Sequence, residues 1–408
     1  MYELILEANK EGKNVHLNHI EDLPFIGGVN ATRDSIYFLT SITNMLSGTT
    51  PHKPTAITVK WDGAPAIVCG INPENGKFFV GTKGVFAGTP KLNYTDADID
   101  KNHPNPGLNE KLKWALRYLK DLGFKPNRIL QGDLMYTAPD LKTEVIDGEK
   151  CITFRPNTIR YAVPLASQLG QKIKESKIGI IFHTEYKGDT IEGLKAHFNP
   201  NIGGLSQTKN VWFRDAEFTD ASGRATFTAA ETDEIKSMLT ELGTNFRGAD
   251  AYVMNKLSTN TELGIPLMTF INSKVRAGTR IDPTKFVGEF ILYMEDKWNN
   301  EILKLKKPEA KANREKAKAI VMAFFKENKV ALRKLIEIHI QIGAIKEKIV
   351  AKLNSVRDIG TFLETSTGYQ VTAPEGFVAV NHNGDAVKLV DRLTFSTANF
   401  NAAKLWSR

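Results

Sequence analysis

Four residues, Lys60-Trp61-Asp62-Gly63, constrain the fold of this chain more than any other stretch. Apolar residues alternate with polar ones before Lys60, and a second apolar run, residues 64–68, follows Gly63. This pattern predicts a strand that ends at Lys60, a tight corner and a second strand. We expect the corner to hold the Lys60 amine in a cleft, with Asp62 pointing the same way if the backbone is extended. A surface hairpin that carries a lysine and an aspartate is the alternative interpretation.

The first half of the chain mixes short strands with helices. Helical spacing predicts helices at about 32–46, 108–122 and 165–175, and the Asn-, Asp- and Pro-rich segment 91–107 is predicted to be a loop. Apolar runs predict further strands at 128–136, 151–155, 178–186 and 211–213. This mixture indicates an α+β fold built on antiparallel sheets.

The second half changes character twice. Residues 231–354 have a helical pattern, and strands return at 375–380 and 386–390 on either side of an Asn-Gly turn. We therefore predict a sheet domain that is interrupted by a large helical insertion. The predicted boundaries are residues 1–230 for the first part of the sheet domain (with an N-terminal extension, 1–50), 231–360 for the basic helical insertion, and 361–408 for the closing strands.

Charge is distributed unevenly along the chain. Residues 297–357 contain sixteen Lys and Arg against six Asp and Glu, an excess that is larger than the net charge of +8 of the whole chain. One basic block on a near-neutral body predicts a polyanionic partner. A solvated helical face without a partner is the alternative.

Other features narrow the class of protein. Cys69 and Cys151 lie in apolar, strand-like runs and are expected to be buried free thiols. The N-terminus has no signal-peptide pattern, and charges interrupt every apolar stretch before it reaches membrane-spanning length. We expect a soluble, cytoplasmic protein without a membrane partner, and the sequence leaves its oligomeric state open.

Several charged residues fall at the predicted strand ends. Lysines neutralise phosphate, paired carboxylates hold divalent metals, and a lysine of lowered pKa can act as a nucleophile. Ordinary structural roles are the alternatives: a turn lysine for Lys83, exposed strand positions for His183 and Glu185, and a core position for Phe182. The charged set comprises Lys60, Asp62, Lys83, Asp133, Glu185, Glu375 and Lys388.

In order and spacing this set resembles the motifs of the covalent nucleotidyltransferase superfamily, which contains ATP-dependent RNA and DNA ligases and mRNA capping enzymes. Lys-x-Asp-Gly matches residues 60–63, and the basic-residue-plus-Gly motif matches Lys83-Gly84, with Lys for the more frequent Arg. The third motif matches Gly132-Asp133, with Asp for Glu. Later matches are the base-stacking strand at Phe182, Glu-Gly-x-Val at 375–378, and Lys388 without the usual second lysine. The matches cover about residues 55–190 and 370–392.

The resemblance implies a ligase adenylation fold and a covalent mechanism. Lys60 attacks the α-phosphate of ATP and forms lysyl-AMP. Lys388, together with Mg²⁺ or Mn²⁺, lowers the pKa of the Lys60 amine. The AMP then passes to a 5′-phosphate end, and a 3′-hydroxyl displaces it. The implied metal ligands are Glu375 and, less strongly, Asp62. Among the implied nucleotide-binding residues, Lys83 and Asp133 contact the ribose and Phe182 stacks on adenine. The full set is Lys60, Asp62, Gly63, Lys83, Asp133, Phe182, Glu375 and Lys388.

The tail of the sequence narrows the choice within the superfamily. About sixteen residues follow Arg392, too few for the oligonucleotide-binding barrel of DNA ligases and capping enzymes. This favours an RNA-ligase-like protein, similar in character to phage-encoded members, or a minimal ligase whose nucleic-acid contacts come from elsewhere. In place of the barrel, the basic helices 297–357 are expected to contact nucleic acid, RNA rather than DNA. Nucleotidyl transfer without sealing, or a degenerate fold that only binds nucleic acid, are the alternatives. The intact Lys60 and Asp62-Gly63 favour an enzyme.

Overall fold

A computed structural model describes residues 6–7, 16–49, 56–146, 148–198, 200–216, 226–355, 360–365, 368–371, 376–380 and 386–390. The strands are β1 (Leu6–Glu7), β2 (His16–Leu17), β3 (Ala56–Lys60), β4 (Ala66–Ile71), β5 (Phe78–Gly81), β6 (Ile129–Thr137), β7 (Lys142–Ile146), β8 (Glu149–Phe154), β9 (Arg160–Pro164), β10 (Ile178–Lys187), β11 (Lys195–Phe198), β12 (Val211–Asp215), β13 (Gly360–Thr365), β14 (Gly368–Val371), β15 (Gly376–Val380) and β16 (Ala386–Leu389). The α-helices are α1 (Leu23–Ile26), α2 (Gly28–Leu46), α3 (Asp96–Asn102), α4 (Pro106–Leu119), α5 (Gln168–Glu175), α6 (Ala229–Arg247), α7 (Ala251–Thr259), α8 (Thr261–Arg276), α9 (Pro283–Lys304), α10 (Pro308–Glu327) and α11 (Lys329–Leu353). Short 3-10 helices lie at Ile20–Asp22, Lys83–Phe86, Lys120–Leu122 and Ala138–Asp140. The predicted α+β class with antiparallel sheets is confirmed.

A six-stranded sheet forms the centre of the strand-rich part. Its order is β11-β10-β6-β4-β5, with β12 also paired to β10, and every pairing is antiparallel except β10 with β12. One face packs on α4 through a core that contains Leu112, Leu134 and Ile180. The opposite face therefore remains available for other contacts, including polar ones.

A second antiparallel sheet has five strands in the order β14-β13-β9-β8-β7. Tyr136 of β6, Phe154 of β8 and Trp212 of β12 belong to one buried cluster, with ring centroids 4.9–6.4 Å apart. These large aromatic contacts join the five-stranded sheet to the six-stranded sheet.

The third sheet joins segments from opposite ends of the chain. Its order is β16-β15-β3, and the antiparallel register places Gly376 opposite Lys60 and Val378 opposite Thr58. Side chains alternate between the two faces of each strand. Ile57 and Phe377 face the helices, whereas Thr58 and Val378 face the opposite side. Of the strands that follow the helical block, β15 returns to pair with β3, and β13 pairs with β9 of the five-stranded sheet.

The helices α6–α11 share an apolar core with α1, α2 and one face of the three-stranded sheet. Phe38, Leu39 and Ile42 of α2 are buried in it. The N-terminal helices therefore pack with the helical block, whereas the domain division drawn from sequence grouped residues 1–50 with the sheet domain. None of the described helices is long and apolar enough to cross a membrane.

The prediction of a loop at 91–107 is wrong, because α3 lies within this segment. Thr95 and Asp98 form a capping box: the Thr95 hydroxyl accepts from the Asp98 N–H at 3.2 Å, and the Asp98 carboxylate accepts from the Thr95 N–H at 2.9 Å. Such a box satisfies the first free N–H groups of a helix and stabilises it despite a composition typical of loops.

Candidate functional site

A cavity of about 120 Å³ lies between the three-stranded sheet and the six-stranded sheet. Strands β3 and β15 form one wall, and β6, β10 and β11 form the other. Polar and apolar side chains both line it, as is usual for small-molecule sites. The lining residues are Leu17, Thr58, Val59, Lys60, Trp61, Lys83, Gln131, Asp133, Ile181, His183, Thr184, Tyr186, Ala196, Phe198, Ala216 and Val378.

Lys60 is the last residue of β3 and lines this cavity. It is half-buried and lies two residues after Thr58, so both side chains are on the cavity face of the strand. Its cross-strand neighbour is Gly376, whose φ of +147° favours glycine. A Cβ at position 376 would lie 2.6 Å from the Leu389 carbonyl oxygen, so glycine is required for the close packing of β15 on β16.

The corner after Lys60 is fixed to the neighbouring sheet. The Ala64 N–H donates to the Leu134 carbonyl at 3.0 Å, and the Leu134 N–H donates to the Pro65 carbonyl at 3.1 Å. A Cβ at Gly63 would lie 2.5 Å from the Asp133 Cβ, which no real side chain permits. The glycine of the corner therefore lets the backbone approach β6, and it brings Lys60 and Asp133 to the same cavity.

Asp62 does not share the direction of Lys60: it lies beyond the end of β3, and its side chain contacts the segment before β9. Asp62 is only 3% exposed. Its carboxylate accepts from the Asn157 side-chain amide and from the N–H groups of Thr158 and Ile159, each at 2.7 Å. Its own N–H donates to the Tyr161 hydroxyl at 2.8 Å. Asp62 therefore fixes the corner to the segment before β9, and it does not line the cavity.

The polar side of the cavity contains Lys83, Asp133 and His183. Lys83 begins the 3-10 helix that follows β5, and burial lowers the pKa of its amine, an effect that the negative charge of Asp133 partly offsets. Asp133 lies on β6, 3.6 Å from His183 Nε2. The other His183 nitrogen, Nδ1, lies 2.8 Å from the Thr184 hydroxyl. A partly desolvated ammonium and a carboxylate in one cavity can bind a polar ligand that offers both hydrogen-bond acceptors and donors.

Phe182 is not brought to this site. It is fully buried in the core that packs against α4, on the face of β10 that points away from the cavity. The register of β10 on β6 shifts between Phe182 and Thr184, which leaves His183 as the extra residue of a β-bulge. The bulge explains how His183 and Thr184 both reach the cavity, and a bulge has no clear signal in the sequence.

The apolar side of the cavity includes Leu17, Phe198 and Val378. Next to it, the Tyr186 hydroxyl donates to Gln131 Oε1 at 2.7 Å, and burial raises the pKa of the Tyr186 phenol, which therefore stays protonated. Sequence reasoning missed Gln131, Tyr186 and Phe198, since their alternation resembles that of any half-buried strand.

Trp61 lies between the cavity and the core. Its ring packs against Tyr161 with centroids 5.4 Å apart, and it also lines the cavity. Its indole Nε1 is buried, and it has no hydrogen-bond partner among the described residues. Buried indole N–H groups usually have an acceptor, so an acceptor oxygen of a ligand that contacts Trp61 would satisfy this donor.

The remaining predicted residues lie close to the cavity or outside the described residues. Lys388 lies opposite Val378 in β16, so its side chain is on the cavity face of the three-stranded sheet. Because β15 lies between β16 and β3, the backbone of Lys388 is two strand spacings, about 10 Å, from the backbone of β3. Glu375 lies outside the described residues, and within those that are described no three His, Cys, Asp or Glu side chains group as a metal site.

The fold and the cavity define an α+β protein of antiparallel sheets with a lysine-containing cleft. The chain belongs to a protein family of unknown function, DUF6267, which it matches over residues 14–404. No curated protein and no solved structure matches it.

Proposed function

We propose that this protein is an ATP-dependent nucleotidyltransferase of the RNA-ligase type, with a ligase adenylation fold and Lys60 as its nucleophile. One observation carries the proposal: Lys60, Lys83 and Asp133 belong to three separate motif matches, and all three line one cavity. The cavity also combines cationic groups with an apolar wall, which is the combination that a nucleotide requires.

The proposed orientation of ATP follows from the two sides of the cavity. The apolar group Leu17, Phe198 and Val378 accepts the base in place of Phe182. The Asp133 carboxylate accepts a hydrogen bond from a ribose hydroxyl, with Lys83 beside it, and the α-phosphate lies at Lys60. The indole N–H of Trp61, next to Lys60, donates to an oxygen of the nucleotide.

The proposed reaction starts from the unprotonated Lys60 amine. Its lone pair forms an N–P bond with the α-phosphorus, the P–O bond to the β-phosphate breaks, and pyrophosphate leaves. In a second step the 5′-phosphate of a polynucleotide takes the AMP from Lys60, and in a third a 3′-hydroxyl displaces AMP and seals the ends.

The residues described here give no support to a metal at Asp62. Both carboxylate oxygens accept hydrogen bonds from protein donors, so Asp62 acts as a structural anion in this proposal. We therefore assign no step to a metal ion held by Asp62.

The test is to incubate the purified protein with Mg²⁺ and α-labelled ATP or GTP, followed by denaturing electrophoresis. We expect label on the wild-type protein with ATP and none on Lys60→Ala or on Lys60→Arg, because the arginine guanidinium stays protonated. Lys150→Ala, which removes an exposed lysine of β8, is the matched control and should label as the wild type does.

Addition of 5′-phosphorylated RNA to the labelled protein tests the second and third steps. Transfer of label to RNA, followed by joined product, supports a ligase. Transfer without joining would indicate a nucleotidyltransferase that does not seal. Absence of label with either nucleotide would contradict the proposed function.

A further inference from the structure

Ion pairs divide the basic segment into two groups. Residues 297–355 contain fifteen described Lys and Arg, and seven of these form ion pairs with acidic side chains. Several acidic partners lie outside the segment, such as Glu231 and Glu234 on α6. Much of the apparent basic excess is thus neutralised within the fold. The paired residues are Arg314, Lys326, Arg333, Lys334, Lys346, Lys348 and Lys352.

Half of the eight remaining lysines lie close together in the sequence. Four exposed lysines, Lys304, Lys306, Lys307 and Lys311, lie at the turn between α9 and α10, and none has an ion pair within the described part of the chain. Glu309 is the one acidic residue among the eight from 304 to 311. We call these four residues the α9–α10 lysine surface.

This arrangement is unfavourable for the free protein. Lys307 is the N-cap of α10 and Lys311 lies in its first turn, so two ammonium groups lie near the positive end of the helix dipole. On α11, by contrast, Lys348 and Lys352 each have a glutamate of α6 within 2.9 Å. Among the described residues, α11 has acidic partners for these lysines, whereas the four lysines of the α9–α10 turn have none.

We propose that the α9–α10 lysine surface binds the phosphate backbone of a polynucleotide. Charge complementarity carries this choice, since several unpaired ammonium groups on one exposed turn match a chain of phosphates and bind without regard to sequence. The inference rests on the proposed function for the identity of the partner, and it supplies that function with a substrate-holding surface outside the cavity.

The test compares two triple variants with the same change in charge. Lys306→Gln/Lys307→Gln/Lys311→Gln removes unpaired lysines, whereas Lys326→Gln/Lys334→Gln/Lys348→Gln removes ion-paired ones. The probe is a fluorescent, 5′-phosphorylated single-stranded RNA, and binding is measured by anisotropy over a series of salt concentrations. Self-labelling with ATP is measured on the same proteins.

We expect the first variant to bind RNA at least about tenfold more weakly at low salt. The slope of log Kobs against log salt should fall in magnitude by about 2, since each lost phosphate contact lowers it by about 0.7 for a single strand. The control variant should keep the wild-type slope, and both variants should self-label like the wild type.

Equal losses in the two variants would overturn the proposal, because net charge alone would then explain binding. The proposal would also be overturned if the wild-type protein bound no RNA, or if it bound anionic phospholipid vesicles instead of RNA. If RNA binding falls selectively but no protein self-labels, the lysine surface stands and the proposed reaction at Lys60 fails.

Discussion

Lys346 in the helical core and Lys83 in the cavity are both withdrawn from solvent, but their ammonium groups have different surroundings. Lys346 is 2% exposed, and its Nζ donates to Glu21 Oε1 at 2.7 Å. Lys83 is half-buried next to Asp133, and burial outweighs this carboxylate, so the pKa of Lys83 is lowered. The fold thus compensates one buried charge closely and leaves the other under-compensated.

The surroundings of Lys346 show what a structural ion pair in this protein contains. The neighbouring His339 of the same helix α11 lies 2.8 Å from the Glu21 carbonyl oxygen and 3.7 Å from an Asp22 carboxylate oxygen. The 3-10 helix Ile20–Asp22 is held in this way against α11. Just before it, the Asn18 carbonyl accepts from the Lys388 N–H at 2.9 Å. This network connects the helical core to the sheet that carries Lys60.

The difference indicates that a closely paired buried lysine serves stability, whereas an under-compensated one in a cavity serves binding or chemistry. Three substitutions test this comparison, from the largest expected effect to the smallest.

The largest effect is expected from Lys346→Met. It leaves the Glu21 carboxylate buried without its partner, and we expect the free energy of unfolding to fall by about 3–5 kcal/mol. Urea unfolding followed by circular dichroism measures this value. The double variant Glu21→Met/Lys346→Met should recover most of the loss, because it removes both charges together. A Lys346→Met protein as stable as the wild type would contradict the structural role of the pair.

An intermediate effect is expected from Asp62→Ala. It removes the acceptor for the N–H groups of Thr158 and Ile159, and leaving buried donors unsatisfied costs about 1–3 kcal/mol of unfolding free energy. Asp189→Ala, which changes an exposed aspartate, is the control and should be neutral. If Asp62→Ala instead leaves stability unchanged and alters the Mg²⁺ concentration needed for self-labelling, Asp62 is a metal ligand.

The smallest effect concerns pH and Lys83. Because its pKa is lower in the folded protein than in the unfolded chain, the unfolded chain binds more protons as pH approaches 10.5. The contribution of Lys83 to stability therefore rises with pH between its folded pKa and 10.5. Relative to Lys83→Met, the wild type should gain stability between neutral pH and about pH 10. A difference that stays constant with pH would show that the pKa of Lys83 is not lowered.

The sequence predicted the strand, corner and strand around Lys60, because alternating apolar residues and a glycine carry that information locally. The pairing of β3 with β15 joins residues about 320 positions apart. The return of strands after residue 360 predicted that the sheet domain closes there, but not which strand they pair with. Alternation places Phe182 in the core together with Ile178 and Ile180, whereas the directions of Asp62 and His183 were not predictable from it. The first depends on contacts beyond the end of β3, and the second on a bulge.

In the proposed reaction, Lys60 is the residue that becomes covalently modified. The most direct measurement is peptide mapping by mass spectrometry after the protein is incubated with ATP and Mg²⁺, for the wild type and for Lys83→Met. We predict an AMP adduct on the peptide that contains Lys60 in both proteins, with less adduct in Lys83→Met. An adduct on Lys83, or no adduct on Lys60 in the wild type, would contradict the account.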